Sequence, residues 1–151
     1  MNIELLPQKQ LTMTVLTTPD MVNFAGAVHG GSVLKILDQV AYACASRFAG
    51  TYCVTLSVDQ VTFKQPIHLG ELVTFLASVN YTGRSSMEIG IKVVAEQPRD
   101  RICRHVVSCF FTMVAVDDQR RPTPVPLLSL DNDEERERWA AAQRRRAQRA
   151  A

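Results

Sequence analysis

Val33-Leu34-Lys35-Ile36-Leu37-Asp38-Gln39-Val40-Ala41-Tyr42-Ala43-Cys44-Ala45-Ser46-Arg47-Phe48 is the stretch that decides the architecture. Val33, Ile36, Leu37, Val40, Cys44 and Phe48 recur at spacings of three and four, the period of one face of an α-helix. Leu34, Ala41 and Ala45 widen that stripe until the segment is apolar around most of its circumference. A helix with so little polar surface must be covered on nearly every side, which predicts one long central rod. Arg47 stands in the last turn, where a cation suits the helix dipole, and Gly50 supplies a left-handed stop.

Immediately upstream, Asn23-Phe24-Ala25-Gly26-Ala27-Val28-His29-Gly30-Gly31-Ser32 holds three glycines and ends on Ser32, a candidate N-cap. This segment is expected to be a loop that delivers a helix N-terminus. Farther upstream, Leu11, Met13 and Val15 alternate with threonines as a half-buried strand does, until Thr17-Thr18-Pro19-Asp20 breaks the pattern. Beyond Gly50 the period is again two. Val54, Leu56 and Val58 share one face, whereas Val61 and Phe63 have the opposite parity, which predicts a bulge near Asp59-Gln60. Pro66 to Gly70 forms a turn. Val73 to Tyr81 and Met87 to Ala95 then alternate as two arms of a hairpin, joined around Thr82-Gly83-Arg84. Ile102 to Val116 is apolar on both parities over much of its length, as expected of a central strand covered on both faces.

The order is strand, loop, long helix and four antiparallel strands, without the alternating helices that a parallel sheet needs. It suits an α+β hotdog fold, an antiparallel β-sheet wrapped around one long central α-helix. Residues 1–130 are expected to form that single domain. Residues 131–151, with acids first and arginines last, are expected to form a charged C-terminal helix, peripheral or frayed.

Of the 151 residues, 46% are hydrophobic, enough to build a core without disulfides or a structural metal. The net charge of +2 is spread evenly: residues 1–130 hold 11 basic and 10 acidic side chains, and residues 131–151 hold 6 and 5. A nucleic-acid partner is therefore not expected. The first thirty residues show no basic start followed by an apolar run, and no stretch approaches the length of a bilayer span. Neither export nor a membrane partner is expected. Cys44, Cys53, Cys103 and Cys109 include no CxxC pair and read as buried free thiols of a reducing compartment, which points to the cytoplasm. No GxSxG and no glycine-rich phosphate or dinucleotide loop occurs, so serine-hydrolase and nucleotide-cofactor chemistry lack support.

Asp38 projects from the same helix face as Leu34, Ala41 and Ala45, which places a carboxylate on a mostly apolar surface. Desolvation there would make it a stronger base, suited to activating water or attacking a carbonyl; a partly exposed residue paired with Lys35 is the bland alternative. Gly30-Gly31 at the helix start offers free N–H groups for the negative oxygen of a tetrahedral intermediate, although paired glycines before a helix are also common turn chemistry. Asn23 is a candidate for orienting water or polarising a carbonyl, and equally a turn former. His29 is a weaker candidate base. Thr82 to Ser86 brings hydroxyls and one guanidinium into a single turn, suitable for phosphates, or is simply the hairpin's turn.

These pieces together resemble the cytosolic acyl-CoA hydrolase group of hotdog thioesterases, which includes the YciA-like enzymes. The resemblance rests on Asn23-x-x-Gly26-x-x-His29-Gly30-Gly31 with Asp38 seven residues later, Val58-Asp59-x-Val61-x-Phe63-x-x-Pro66-Ile67-x-x-Gly70, and Gly83-Arg84-Ser85-Ser86-Met87-Glu88. It spans about residues 8 to 116. It implies hydrolysis of acyl-CoA to a carboxylic acid and CoA, with Asp38 activating water or attacking directly. Asn23 would come from the neighbouring subunit, and the Gly31 amide would hold the oxyanion. It further implies substrate contacts at His29 and Gly30, and the CoA nucleotide near Gly83, Arg84, Ser85 and Ser86. A homodimer with shared active sites, assembled as a trimer of dimers, is implied too, with no metal or other cofactor. The first motif also occurs in thioesterases acting on aromatic acyl-CoA. An acyl-CoA-binding regulator without catalysis, or a hotdog hydratase, are the alternatives.

Overall fold

The computed structural model describes residues 1–150. Strand β1 (Gln10–Leu16) leads through a 3-10 turn at Pro19–Met21 to helix α1 (Gly30–Ala49). Four strands follow, β2 (Tyr52–Phe63), β3 (Leu72–Thr82), β4 (Ser86–Gln97) and β5 (Ile102–Val116), and the chain ends in helix α2 (Asp133–Ala150). All strand pairs are antiparallel, in the sheet order β1-β3-β4-β5-β2. This is the expected hotdog: α1 lies in the curve of the sheet and touches all five strands. Val33, Leu37, Val40, Ala41, Cys44, Ala45 and Phe48 are the buried side of the helix. They meet Phe75, Ile89, Ile91, Phe111 and Met113 in one core, where burial of each large side chain stabilises the fold by roughly 1.5 to 3 kcal/mol. Gly50 closes α1 in the left-handed region at φ 72°.

The hairpin β3–β4 and the interior position of β5 agree with the alternation and the doubly apolar run. One register shift in β2 lies where the parity slips: pairing with β5 jumps between Asp59 and Thr62, and Gln60 takes φ 53°. A second, between Thr55 and Ser57, is not predicted by the alternation. Several expectations need correction. The N-cap of α1 is His29, not Ser32, because the imidazole reaches the Gly31 amide while Ser32 already lies in the first turn. Cys103 is exposed, near the start of β5, whereas Cys44, Cys53 and Cys109 are buried free thiols. The C-terminal helix is peripheral, the first of the two expected forms, and not frayed. It docks on the sheet face opposite α1, where Trp139 stacks on Tyr81 with ring centroids 4.3 Å apart. Arg145 grips Glu88 through two bonds of 2.7 Å while its guanidinium lies 3.6 Å from the centre of the Phe110 ring.

Candidate active site

The loop before α1 is a compact excursion built by Asn23. Its Oδ1 accepts from the Ala25 and Ala27 amides at 2.9 and 3.2 Å, and its own N–H donates to the Ala27 carbonyl at 2.7 Å. Within one chain Asn23 is thus a turn former, and no hydrogen bond joins it to Asp38. The loop is fastened from behind: Val28 N–H donates to the Ile67 carbonyl at 2.8 Å, and His29 N–H to the Met21 carbonyl at 2.7 Å. The Ile67–His68 segment is itself held by Glu71. That side chain is 2% exposed, accepts the His68 amide at 2.6 Å and takes a two-pronged bond from Arg104 at 2.5 and 2.8 Å. The Arg104 guanidinium holds the Glu71 carboxyl below the ordinary glutamate value. An ion pair buried at its Glu71 end and partly exposed at Arg104 therefore sets the path of the loop that delivers the helix N-terminus.

At that N-terminus the Gly31 N–H is not free. It donates to His29 Nδ1 at 2.8 Å, so the imidazole carries its proton on Nε2 and occupies the place where an oxyanion would be received. Gly30 is partly covered by Phe63 of β2, whose ring lies 3.7 Å from where a Cβ would stand.

Asp38 sits two turns farther along α1 and is exposed rather than set into an apolar wall. Its partner is Thr55 of β2, whose Oγ1 donates to Oδ1 at 2.7 Å; the alternative pairing with Lys35 does not form among the described residues. Thr55 went unrecognised in the sequence. The reason is an inversion of β2: Cys53 is buried against the core and Thr55 reaches Met113, so their parity faces α1. Val54, paired with Val114, faces the other side of the sheet. A register shift between Thr55 and Ser57 then returns Val58, paired with the core residue Phe111, to the α1 side. The three residues expected to share a face therefore do not, although all three are exposed.

The β3–β4 turn lies apart from Asp38 and is pinned through its backbone. Gly83 N–H donates to the Ser86 carbonyl at 2.8 Å, while the Ser85 and Arg84 carbonyls accept from Ala115 and Val125 at 2.8 and 2.9 Å. The Arg84 side chain is exposed. Arg146 of α2 donates to Ser86 Oγ at 3.1 Å, so the turn has a cationic neighbour that its own sequence does not show. Elsewhere, burial pushes the Cys44 and Cys109 thiols up to about 12 and keeps them protonated. Among the described residues no group of three or more His, Cys, Asp or Glu side chains is placed to hold a metal. No helix among them is long and apolar enough to cross a membrane.

Comparison with known proteins adds to this geometry. The model of the thioesterase superfamily matches residues 25–102, from the Asn23 loop to the start of β5. The protein VdlD of Helicobacter pylori is 45% identical over 148 residues, covering 98% of this chain and 84% of that one. An apo-hexameric acyl-CoA thioesterase superposes with a TM-score of 0.88 at 32% identity, over 94% of this chain and 93% of that chain. The acyl-CoA hydrolase of Staphylococcus aureus, solved with butyryl coenzyme A, coenzyme A and coenzyme A disulfide, gives 0.85 at 28% identity, covering 93% and 88%. That hydrolase has also been solved with one aspartate, one asparagine or one threonine changed to alanine. Those three residues are spaced 15 and 17 apart, asparagine first, and Asn23, Asp38 and Thr55 have the same spacing. On fold, site geometry and family match together, the chain belongs to the thioesterase superfamily.

Proposed function

We propose that this chain hydrolyses acyl-CoA thioesters to a carboxylic acid and free CoA, at a site completed by a second copy of itself. The observation that carries the proposal is the Asp38 carboxylate, presented on the exposed side of a helix whose other side is packed into the core, and held at 2.7 Å by Thr55 Oγ1. The hydroxyl fixes one carboxylate oxygen and leaves the other open to water. Asp38 takes a proton from that water as its oxygen adds to the thioester carbonyl carbon, and the carbonyl π electrons move onto oxygen. Direct attack by Asp38, giving an anhydride that water then opens, uses the same position. The oxyanion is received by the Gly31 N–H and the helix dipole once the His29 ring has turned aside. Collapse breaks the C–S bond, and the leaving thiolate recovers the proton from Asp38. Water, one base and one oxyanion donor suffice, so the reaction needs no metal or redox cofactor.

The second copy follows from what the monomer leaves uncovered. Strand β2 is a sheet edge whose outer backbone groups lack a strand partner. Leu34 and Tyr42 flank Asp38 one turn away on either side and are 40% and 42% exposed, and Phe24 at the loop tip is fully exposed. Pairing two β2 edges about a two-fold axis covers this face, desolvates Asp38 and sets the Asn23 loop of one subunit beside the Asp38 of the other, where the amide positions water or substrate. Val54, exposed on the sheet face away from α1, and the exposed Leu56 at the register shift are left for contacts between dimers, consistent with a trimer of dimers. The nucleotide end of CoA lies at Gly83 to Ser86, with His29 and Gly30 along the approach to the thioester. Three unpaired buried thiols suit a reducing, cytoplasmic setting.

The test is a panel of acyl-CoA esters from acetyl to palmitoyl, with benzoyl and phenylacetyl esters, in the presence of a thiol reagent. Release of CoA is the expected result, and specificity constants across the panel define the acyl group. Binding of every ester with release of none would overturn hydrolysis in favour of a sensor.

A further inference from the structure

Helix α2 ends in a run of arginines whose surroundings differ. Arg145 is spent on Glu88, and Arg149 on Asp59 at 2.6 Å. Arg146, between them, forms no ion pair among the described residues. Its guanidinium lies over the Tyr81 ring at 5.3 Å and donates to Ser86 Oγ at 3.1 Å. Gly83 makes room for it: a Cβ there would stand 2.5 Å from Arg146 Nη1, too close for any side chain without displacing the guanidinium. The cation is therefore brought against one turn, Gly83-Arg84-Ser85-Ser86, whose backbone is already pinned and whose Arg84 side chain is exposed.

Resting on the proposal that CoA is the leaving group, we infer that α2 is part of the substrate site: Arg146 and Arg84 together clamp a phosphate of the CoA moiety. Arg146 touches the Ser86 hydroxyl, Arg84 belongs to the same four-residue turn, and neither guanidinium pairs with a carboxylate among the described residues, a set that matches a phosphate better than a neutral or cationic ligand. Each guanidinium retains N–H donors beyond those used within the protein. The platform is rigid, because the Trp139–Tyr81 stack and the Arg145–Glu88 pair before Arg146, and the Arg149–Asp59 pair after it, hold α2 on the sheet. An arginine already in place loses little side-chain freedom when the anion arrives, so more of the interaction appears as affinity. The tail thereby acquires a role that the β3–β4 turn alone does not supply.

The experiment compares Arg146→Gln with the unmodified protein on acyl-CoA, acyl-dephospho-CoA and acyl-pantetheine bearing the same acyl group. The ratio of kcat/KM for acyl-CoA to that for acyl-pantetheine should fall about tenfold, and Arg146→Lys, which keeps the charge without the planar fork, should fall less. A loss confined to acyl-CoA assigns the 3′-phosphate to the clamp. A loss shared with acyl-dephospho-CoA assigns the diphosphate. An unchanged ratio overturns the inference. Binding is read separately from turnover, because Trp139 is the chain's single tryptophan and stacks on the ring that Arg146 covers. Titration with CoA should change its emission and saturate at higher concentration in Arg146→Gln. CoA that leaves the emission unchanged and binds both proteins equally by calorimetry overturns the clamp even if hydrolysis stands. Absence of thiol release from every ester sinks the hydrolase proposal while leaving this titration to decide the clamp.

Discussion

Asp38 interrupts the apolar stripe of α1 at the level where β2 offers a hydroxyl instead of a hydrocarbon. Exposure in the single chain lets the carboxylate remain solvated until a partner and a substrate cover it, and Thr55 orients it beforehand. Asp38→Asn keeps the shape and removes the base, so kcat should fall by at least roughly a hundredfold, with the circular-dichroism spectrum and CoA affinity retained. Thr55→Val, which preserves volume and deletes the donor, should cost about tenfold in kcat with KM little changed, since it loosens the base without removing it. Near-normal turnover of Asp38→Asn would remove Asp38 from the mechanism. Glu71 answers a different question, that of acid stability. Its folded value is lowered by Arg104, so the native state favours the ionised carboxylate; the stabilisation is complete above the ordinary glutamate value of about 4.3 and is lost as pH falls through the folded value. Glu71→Gln should lower the melting temperature at neutral pH and flatten its fall below pH 4.3, as thermal melts across pH 3 to 7 would show. An undiminished acid slope would mean other carboxylates set it.

Helix α1, the β3–β4 hairpin and the bulge at Gln60 could all be read from periodicity, because each is specified by spacing within a short window. What could not be read depends on partners remote in the chain. Parity puts Val54, Leu56 and Val58 on one face, but a register shift between Thr55 and Ser57 breaks that alternation. Cys53 and Thr55 turn toward Met113 and Asp38, Val54 turns away from α1, and Val58 comes to pair with the core residue Phe111. Docking of α2 is equally hidden, since Arg145 meets Glu88 at a separation of 57 residues. The Asn23, Gly31 and Asp38 positions were legible as a motif, whereas the His29 bond that fills the Gly31 amide needed coordinates. The docked helix makes a distinct expectation at this scale. Arg145→Ala leaves the Glu88 carboxylate, 3% exposed, with Asn80 as its remaining polar partner, which should cost about 3 kcal/mol. That corresponds to a melting temperature lower by roughly 6 to 12 °C, with Trp139 emission shifted to the red as α2 leaves the sheet. Restoring an apolar pair with Arg145→Leu and Glu88→Leu should recover much of the loss; failure to do so would mean that the ion pair specifies the docking as well as stabilising it.

At the scale of the whole molecule, the monomer holds every proposed catalytic group and yet keeps two of them apart, because Asn23 folds back on its own loop while Asp38 faces outward from α1 beside an unpaired edge strand. If a two-fold partner unites them, activity must depend on assembly: specific activity should fall on dilution in step with loss of the dimer in sedimentation velocity. A monomer with full turnover per chain would refute the shared site. Mixed assemblies give the sharper test. Asp38→Asn lacks the base in both sites of its own homodimer, and Asn23→Ala lacks the positioning amide in both of its own. When the two variants are unfolded together and reassembled, half of the dimers should be mixed. Each mixed dimer holds one site with both lesions and one site with Asp38 and Asn23 intact, because those residues come from opposite chains. The mixture should therefore regain about a quarter of the unmodified activity per site, well above the sum of the separate variants. Were both residues to act within one chain, every site would carry one lesion whatever its neighbour, and mixing would restore nothing. The outcome distinguishes the two geometries without knowledge of the preferred acyl group, provided that one hydrolysed ester is in hand.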